Sequence, residues 1–374
     1  MKNINVFYVI LFFATNIFAQ AHESVARPGF RLEGGGSIEC SRDENHSCEL
    51  SAAACLSTDA LGGGIIALAS DKPLAQKGGD AILTGRIIDN RFVSTGLLKN
   101  PSTPVNKYES LIVSPSGSHV IGITAFDREE KSYSQIIYWD TKNLHNPGIP
   151  IKIVNKQKNT PDLYVALLEV YREKFGIDIN YIKIEGAGFT KAGRLLFAVR
   201  SYGKSFKEFQ DAFHLLSLKI EMDMQGVPII SSDEIIFEAD FTNKVNSFFG
   251  RNFGVSDIFI DKKTDDIWAL VAHESGEEGK KLLDGRLLLL QQSASGLIKD
   301  YRIQVVDNVN NSPLILEGKP EGICEYSQGK FIIVYDDDRE LTRPGQLLRR
   351  ERLSQSRYEL YIRDDRKPRF FPKN

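Results

Sequence analysis

Glutamates occupy the same place in three widely separated parts of the chain, each close to the start of a short apolar stretch that predicts a β-strand. They are Glu109, Glu185 and Glu321, and the hairpin that begins at Glu321 ends in three consecutive aspartates, Asp336–Asp338. In an antiparallel hairpin, the start of the first strand and the end of the second lie at the same edge. We therefore expect these carboxylates to collect on one face of the molecule.

Carboxylates gathered on one face cannot all stay ionised unless a metal ion or basic side chains lie beside them. Their hard oxygen ligands suit Ca²⁺ better than a soft transition metal. The sequence therefore predicts a calcium site with Glu109, Glu185, Glu321 and Asp336 as candidate ligands. The alternative is that each acidic residue ends a turn or lies in solvent, as most charged runs do.

Basic and titratable residues near these carboxylates complete the candidate site. Arg200 follows the strand that pairs with the Glu185 strand, and we list it with His273 as a candidate catalytic residue. Lys204 and Lys319 are candidate ligands for an anion such as phosphate. A lone histidine is more often structural than catalytic, so the role of His273 rests on its position alone.

A repeat must position these residues, because the same strand–turn–strand pattern recurs five times. The residues that begin the five copies are Ser51, Glu109, Glu185, Ser256 and Glu321, and their spacings are 58, 76, 71 and 65 residues. Repeats of short strands and turns a little longer than about 40–50 residues are typical of β-propeller blades. In such a fold, the first strand of each blade lines a central channel.

The chain also predicts how the ring closes. The segment 30–39 forms a strand that belongs to no complete copy, and the fifth copy lacks a fourth strand. Pairing these two would leave no exposed sheet edge. We therefore predict an all-β fold, a single five-bladed propeller closed by an N-terminal strand. Six blades stay open as an alternative, because the helical region or the stretch 237–253 could hide irregular strands.

One helix is predicted as an insertion at about 160–176. The segment Thr160-Pro161-Asp162 offers an N-cap followed by a proline in the first turn, apolar residues recur at helical spacing from Leu163, and Gly176 ends the run. An apolar stripe at this spacing is the usual signature of packing against a core.

The N-terminus predicts export. Residues 1–21 combine a basic start, a short apolar run and an Ala-Gln-Ala site, which is the pattern of a signal peptide cleaved after Ala21. We expect residues 22–374 to form one monomeric propeller domain in the periplasm or outside the cell, without a membrane span. With 47 basic and 49 acidic residues, the chain gives no electrostatic reason to expect a nucleic-acid partner.

Four cysteines fit an oxidising compartment. Cys40 and Cys48 flank a short polar loop, and we predict that they form a disulfide. Cys55 and Cys324 lie on the inner strands of the first and last copies, which become neighbours if the ring closes. They either form a second bridge or stay as two buried free thiols.

Several motifs resemble a family of bacterial secreted proteins, a domain of unknown function distantly similar to the esterase-like phytase propellers. They are the segments 319–323, 331–338 and 185–200, with their glutamate–glycine starts and acidic ends. The resemblance covers about residues 50–338. It implies a propeller with its site at the top of the channel, and calcium-assisted hydrolysis of phosphate esters.

Two functions follow from these patterns. The first is a Ca²⁺-dependent phosphoric-ester hydrolase, in which carboxylates hold the metal and Arg200 stabilises developing charge. The second is a non-catalytic propeller that binds a small anion or a protein partner. The sequence predicts few basic residues on the acidic face, which argues against a highly phosphorylated substrate such as phytate.

Overall fold

The computed structural model describes most of the chain between residues 28 and 364. The predicted signal peptide, Asp337, Asp338 and the basic C-terminal tail lie outside the described residues. Those described are 28–40, 48–56, 64–72, 74, 80–155, 162–224, 226–275, 282–336, 341–343, 346–348 and 355–364.

Five antiparallel sheets form the five predicted blades, which confirms the propeller. The strands of blade 1 are Leu50–Cys55, Ile66–Ser70, Ile82–Ile88 and Arg91–Leu98. Those of blade 2 are Tyr108–Val113, His119–Thr124, Ile136–Asp140 and Ile149–Pro150. Blade 3 consists of Tyr181–Phe189, Arg194–Ser205, Glu208–Met222 and Pro228–Asp240, and the short strand Lys152–Val154 pairs in parallel with the last of these.

Blade 4 consists of Gly254–Ile260, Ile267–Ser275, Leu282–Gln291 and Arg302–Val305, and Ile315–Glu317 also pairs with the third strand. Blade 5 is built from both ends of the described chain. Its strands are Pro320–Ser327, Lys330–Tyr335, Gln355–Asp364, Gly29–Glu39 and Asp307–Asn308. A small hairpin, Leu341–Arg343 with Gln346–Leu348, lies between its second and third strands in the chain.

The N-terminal strand closes the ring as predicted. Gly29–Glu39 pairs antiparallel with Gln355–Asp364, from Gly29 opposite Asp364 to Glu39 opposite Gln355. This pairing gives blade 5 its missing strand. The last and first parts of the chain therefore share one sheet.

Five apolar clusters lie between neighbouring blades, one at each junction around the ring. Each strand turns alternate side chains to its two faces, so every blade contributes to two junctions. The junction between blades 2 and 3 contains Phe126 and Phe197, for example, and that between blades 4 and 5 contains Trp268 and Phe331. The other three junctions are formed in the same way. Because burial of apolar area is the main stabilising term, these five interfaces hold the ring together.

The described residues contain two α-helices, whereas the sequence predicts one. Thr160 and Pro161, at the predicted start of that helix, lie outside the described residues. The first, Leu163–Phe175, lies inside the region predicted for it. Its N-cap, Asp162, accepts hydrogen bonds from the backbone amides of Tyr164 and Val165, and it ends at Gly176. It packs against the outer strand of blade 3 and joins the junction between blades 2 and 3.

The second helix, Thr242–Phe249, occupies the stretch that we considered for irregular strands. Asp240 accepts a hydrogen bond from the amide of Thr242 near its start, and Gly250 ends it in a left-handed conformation. Eight residues with one buried side chain, Val245, give a weak periodic signal. That shortness is why the pattern did not predict it.

All four cysteines form bridges. The structure joins Cys40 to Cys48 and Cys55 to Cys324, each pair with Cα atoms 5.6 Å apart. The second bridge links the inner strands of blades 1 and 5 across the closure of the ring. Of the two alternatives left open for Cys55 and Cys324, the structure therefore has the bridge.

Among the described residues, no helix is long and apolar enough to cross a membrane.

Candidate functional site

Each inner strand carries an irregularity near its start, and all five copies have one at the residue that begins the repeat. The antiparallel register shifts once at each of these positions, so that the residue has no partner of its own on the second strand. The shifted residues are Ser51, Glu109, Glu185, Ser256 and Glu321. A β-bulge inserts one residue and redirects its side chain. The bulges therefore explain why these five positions form one set.

Glycines follow two of the bulged glutamates because the neighbouring inner strand comes very close. A Cβ atom at Gly186 would lie 2.7 Å from the backbone nitrogen of Ile258, and one at Gly322 would lie 2.7 Å from the carbonyl carbon of Ala52. Real Cβ atoms essentially never come this close to backbone atoms. The glutamate–glycine pairs thus mark where adjacent inner strands touch around the channel.

The three bulged glutamates meet inside the channel. One carboxylate oxygen from each of Glu109, Glu185 and Glu321 lies within 4.8 Å of the others. Their exposed fractions are 3%, 0% and 1%. The structure therefore brings together three of the four predicted metal ligands in a buried cluster.

A lysine stands two residues before each of these glutamates, so the mouth of the channel is basic as well as acidic. The pairs are Lys107 and Glu109, Lys183 and Glu185, and Lys319 and Glu321. Their ammonium groups contact the carboxylates: Lys107 and Lys183 lie 3.4 and 3.2 Å from Glu109, Lys183 also contacts Glu185, and Lys319 lies 3.0 Å from Glu321. These contacts supply the compensating charge that the buried cluster requires.

Arg200 connects the cluster to blade 4. Its guanidinium donates hydrogen bonds to Ser256 Oγ at 2.9 Å and to Glu274 at 2.7 Å, and it lies 3.8 Å from Glu185. Lys319 reaches the same Glu274 at 3.7 Å and Asp336 at 3.5 Å. Asp336, the fourth predicted metal ligand, therefore pairs with Lys319 rather than joining the three glutamates.

Two glutamates at equivalent positions carry different charge. Burial raises the pKa of Glu185, but Lys183, Arg200 and Lys319 outweigh it and hold the pKa well below its usual range. Burial raises the pKa of Glu321 far above its usual value, and the neighbouring Glu185 reinforces this effect against Lys319. The shifts of the two pKa values are opposite, so the environment favours the ionised form of Glu185 and the protonated form of Glu321. One buried oxygen of Glu185 accepts no hydrogen bond from any other group, and the proton of Glu321 would supply that donor.

The pKa values of the aspartates around the cluster also depend on burial and on neighbouring charges. Asp257 is buried, accepts backbone hydrogen bonds from Ile258 and Ile323, and has a pKa raised well above the usual value by burial. Burial also raises the pKa of Asp71 to about 8, with Glu109, Glu49 and Asp336 adding to the rise. Asp127 instead has a lowered pKa, because Lys107, 2.8 Å away, outweighs its burial.

An open cavity of about 780 Å³ lies above the cluster. Its wall contains five cationic side chains, Lys107, Arg128, Lys183, Arg200 and Lys319, together with three carboxylates, Asp127, Asp211 and Glu274. Ser201, Tyr181, Phe206 and Phe209 complete the wall. The cavity thus joins charged groups of both signs to aromatic surface.

Two predicted site residues lie apart from this cavity wall. Lys204 is exposed and pairs with Glu208 at 3.1 Å. The imidazole of His273 contacts the backbone carbonyl of Asn252 at 2.5 Å, and its ring lies against Phe253. Of the predicted catalytic and anion-binding residues, the structure therefore places Arg200 and Lys319 in the cavity wall.

The sequence analysis missed Lys107 and Lys183, and its estimate of few basic residues on this face is wrong. A signal for them is present, since Lys-x-Glu occurs at the start of the inner strand in three copies. Lys183 lies within its inner strand, whereas Lys107 and Lys319 each stand directly before theirs, and all three ammonium groups contact a channel glutamate. A repeat defined by its glutamates alone does not include the lysines that compensate their charge.

Comparisons with known proteins show similarity to solved structures alone, since no family model and no curated protein matches the chain. A GH43_12 protein retrieved from a capybara gut metagenome has a TM-score of 0.44 and 10% identity over 90% of this chain, which spans about half, 54%, of its length. A member of the DUF4221 family from Bacteroides vulgatus has a TM-score of 0.39 and 10% identity, covering 90% of this chain and 99% of its own.

A GH43 β-1,3-galactosidase solved with galactodeoxynojirimycin has a TM-score of 0.42 and 12% identity, covering 83% of this chain and 90% of its own. These comparisons give no support to the predicted resemblance to esterase-like phytases. At such low identities and TM-scores the likeness says nothing about activity. The function must therefore be argued from the cavity itself.

Proposed function

We propose that this propeller binds a small anionic molecule in the cavity at the mouth of its channel. The observation that carries the proposal is the cavity wall, in which five cationic side chains stand beside three carboxylates. Pockets of this size, concave and with a few convergent polar groups, are the usual sites for small ligands.

The cations at the floor of the cavity are held in place before any ligand arrives. Arg200 is fixed by Ser256 and Glu274, and Lys183 by Glu109 and Glu185. Acidic neighbours outweigh burial and raise the pKa of both basic groups, so both stay charged. Preorganised charged donors lower the cost of ordering the site when a carboxylate or phosphate binds.

An entering anion would share these cations with the carboxylates that already contact them. Glu274 is the partner best placed to yield, because it lies in the cavity wall and contacts both Arg200 and Lys319. The buried glutamates below would keep their own contacts. Because the anion displaces an existing ion pair, we expect affinity that is moderate and weakened by salt.

The calcium-dependent phosphoric-ester hydrolase is the second candidate, and one observation favours it. The oxygens of Glu109, Glu185 and Glu321 are close enough to hold one ion, and a bound Ca²⁺ would polarise a phosphoryl group. The fit is poor, however, because the ammonium group of Lys183 already contacts two of these carboxylates, and burial raises the pKa of the third, Glu321. A metal would have to displace that ammonium group.

Thermal unfolding and calorimetric titration of the purified protein with inorganic phosphate, and separately with Ca²⁺ and EDTA, distinguish the two candidates. We expect phosphate to raise the Tm and to bind less tightly as salt increases. Lys319→Gln should weaken phosphate binding by about tenfold or more, because it removes a charged donor from the wall.

Lys204→Gln is the matched control, since Lys204 is a lysine outside the cavity wall. It should leave phosphate binding unchanged. Stabilisation of the wild-type protein by Ca²⁺ and not by phosphate would overturn the proposal in favour of the metal site, whether or not the Lys319 variant folds.

A further inference from the structure

A hairpin from blade 3 extends beyond its sheet and forms one side of the cavity. The inner strand begins at Tyr181, opposite Gly203, and the second and third strands continue past that point to the pair Ser205 with Glu208. We call residues 201–211 the rim hairpin. Its tip carries Phe206 and Phe209, both of which line the cavity.

The rim hairpin leaves aromatic surface uncovered at the cavity. Phe206 is 67% exposed and Phe209 is 49% exposed. Phe209 lies beside Tyr181, with ring centroids 5.7 Å apart and a tilt of 42°. Large exposed aromatic side chains that converge on a cavity mark a surface for an apolar face of a ligand.

The same cavity wall offers acceptors for hydroxyl groups. Asp127, Asp211 and Glu274 present carboxylate oxygens, and the Ser201 hydroxyl lies at the base of the rim hairpin. Carboxylates accept hydrogen bonds from neighbouring hydroxyls, and the cations of the same wall donate to them. A ligand that used every part of this wall would combine hydroxyl groups, an apolar ring face and one negative charge.

We infer that the ligand is a sugar that carries an acidic group, either a carboxylate or a phosphate. Sugars present hydroxyls at their edge and C–H groups on their faces, so one face packs on Phe209 while the hydroxyls reach the carboxylates. The acidic group lies on Lys183, Arg200 and Lys319. This inference rests on the proposed anion site and adds the identity of the molecule that bears the anion.

Calorimetric titration of the full-length protein with four probes tests it: inorganic phosphate, glucose, glucose 6-phosphate and glucuronate. At least one acidic sugar should bind about tenfold or more tightly than inorganic phosphate, and neutral glucose should bind weakly. The two acidic sugars distinguish a phosphate from a carboxylate as the preferred acidic group.

Phe209→Ala should weaken binding of the acidic sugar about threefold to tenfold and leave inorganic phosphate unchanged. Phe248→Ala is the matched control, because Phe248 is 44% exposed on the second helix and is absent from the cavity wall. It should change neither affinity. Circular dichroism checks that both variants fold.

Equal affinities for phosphate and for both acidic sugars, or no effect of Phe209→Ala, would contradict the inference that the ligand is a sugar. Either result would still be consistent with the proposed anion site. If none of the anions binds, the proposed anion site itself is contradicted. A nucleoside monophosphate that binds more tightly than both acidic sugars would replace the sugar with a nucleobase as the stacked ring.

Discussion

The two ends of the central channel differ sharply, although the same five inner strands line both. At the mouth, the bulged residues gather three buried glutamates and the cations that contact them. At the opposite end, the strands surround a small cavity of about 70 Å³ with mostly apolar side chains in its wall, among them Ala53, Ile112, Ile323 and the Cys55–Cys324 bridge, together with one cation, Lys262. Position along one strand therefore decides between charge and apolar packing.

The two ends of the channel contribute differently to the free energy of unfolding. Apolar burial stabilises the fold at about 25 cal/mol per Å², and the apolar side chains at the opposite end contribute to it. A buried ion-pair network contributes little net stability, because desolvation offsets the attraction between charges. The protein maintains such a network at the mouth, together with five bulges, and this supports the proposal that the mouth binds a ligand.

The largest expected effect comes from two glutamates of the mouth that look equivalent. Glu185→Gln leaves Lys183 and Arg200 buried without their ionised partner, and should lower the free energy of unfolding by about 3–5 kcal/mol. Because burial raises the pKa of Glu321, Glu321→Gln replaces a carboxyl that favours its neutral form with a neutral amide, and should cost less than about 1 kcal/mol. Urea denaturation of both variants checks this, and equal losses would show that Glu321 is ionised too.

The opposite end should show its contribution through the Cys55–Cys324 bridge. Replacing both cysteines with alanine should lower the free energy of unfolding by about 2–4 kcal/mol, since the bridge closes a loop of 269 residues between the first and last blades. The Cys40–Cys48 bridge spans only 8 residues, so its removal should cost less. Anion binding at the mouth should survive both replacements. A double variant of Cys55 and Cys324 that loses phosphate binding while still folded would show that the two ends are coupled.

The smallest expected effect is a pH dependence confined to the mouth. The pKa of Asp71 rises from 3.8 to about 8 in the folded state, so folding favours its protonated form. The stabilising contribution is fully present below pH 3.8 and declines as pH rises to about 8. Between pH 5 and pH 8, the wild type should therefore lose about 1–3 kcal/mol more than Asp71→Asn. Urea denaturation at the two pH values measures this, and parallel losses would place the titrating group elsewhere.

Much of the fold could be predicted because the same strand–turn–strand pattern recurs along the chain. Strand alternation, turn residues and the spacing of Ser51, Glu109, Glu185, Ser256 and Glu321 predicted five blades. The unpaired segment 30–39 predicted how the ring closes. Each of these signals depends on near neighbours in the chain, and the structure confirms both.

The site was predicted only in part, because its behaviour depends on groups far apart in sequence. The repeat placed Glu109, Glu185 and Glu321 at the mouth, but it did not predict that Lys183 would contact two of them. Nor did it predict that Glu185 and Glu321 would differ in charge. The pKa of each depends on burial and on cations that other blades supply, and a local pattern contains no such information.

Side-chain alternation and turn chemistry are local in the chain, and they predict the five blades and the residue that begins each inner strand. They do not predict the additional short strands Lys152–Val154, Ile315–Glu317 and Asp307–Asn308 of blades 3, 4 and 5. Three features follow only from the folded ring. They are the different pKa shifts of equivalent carboxylates, the bond between Cys55 and Cys324, and the position of Phe206 and Phe209 beside a charged cavity. The physical reason is that electrostatic and cross-blade contacts depend on distances in space, and closure of the ring sets those distances.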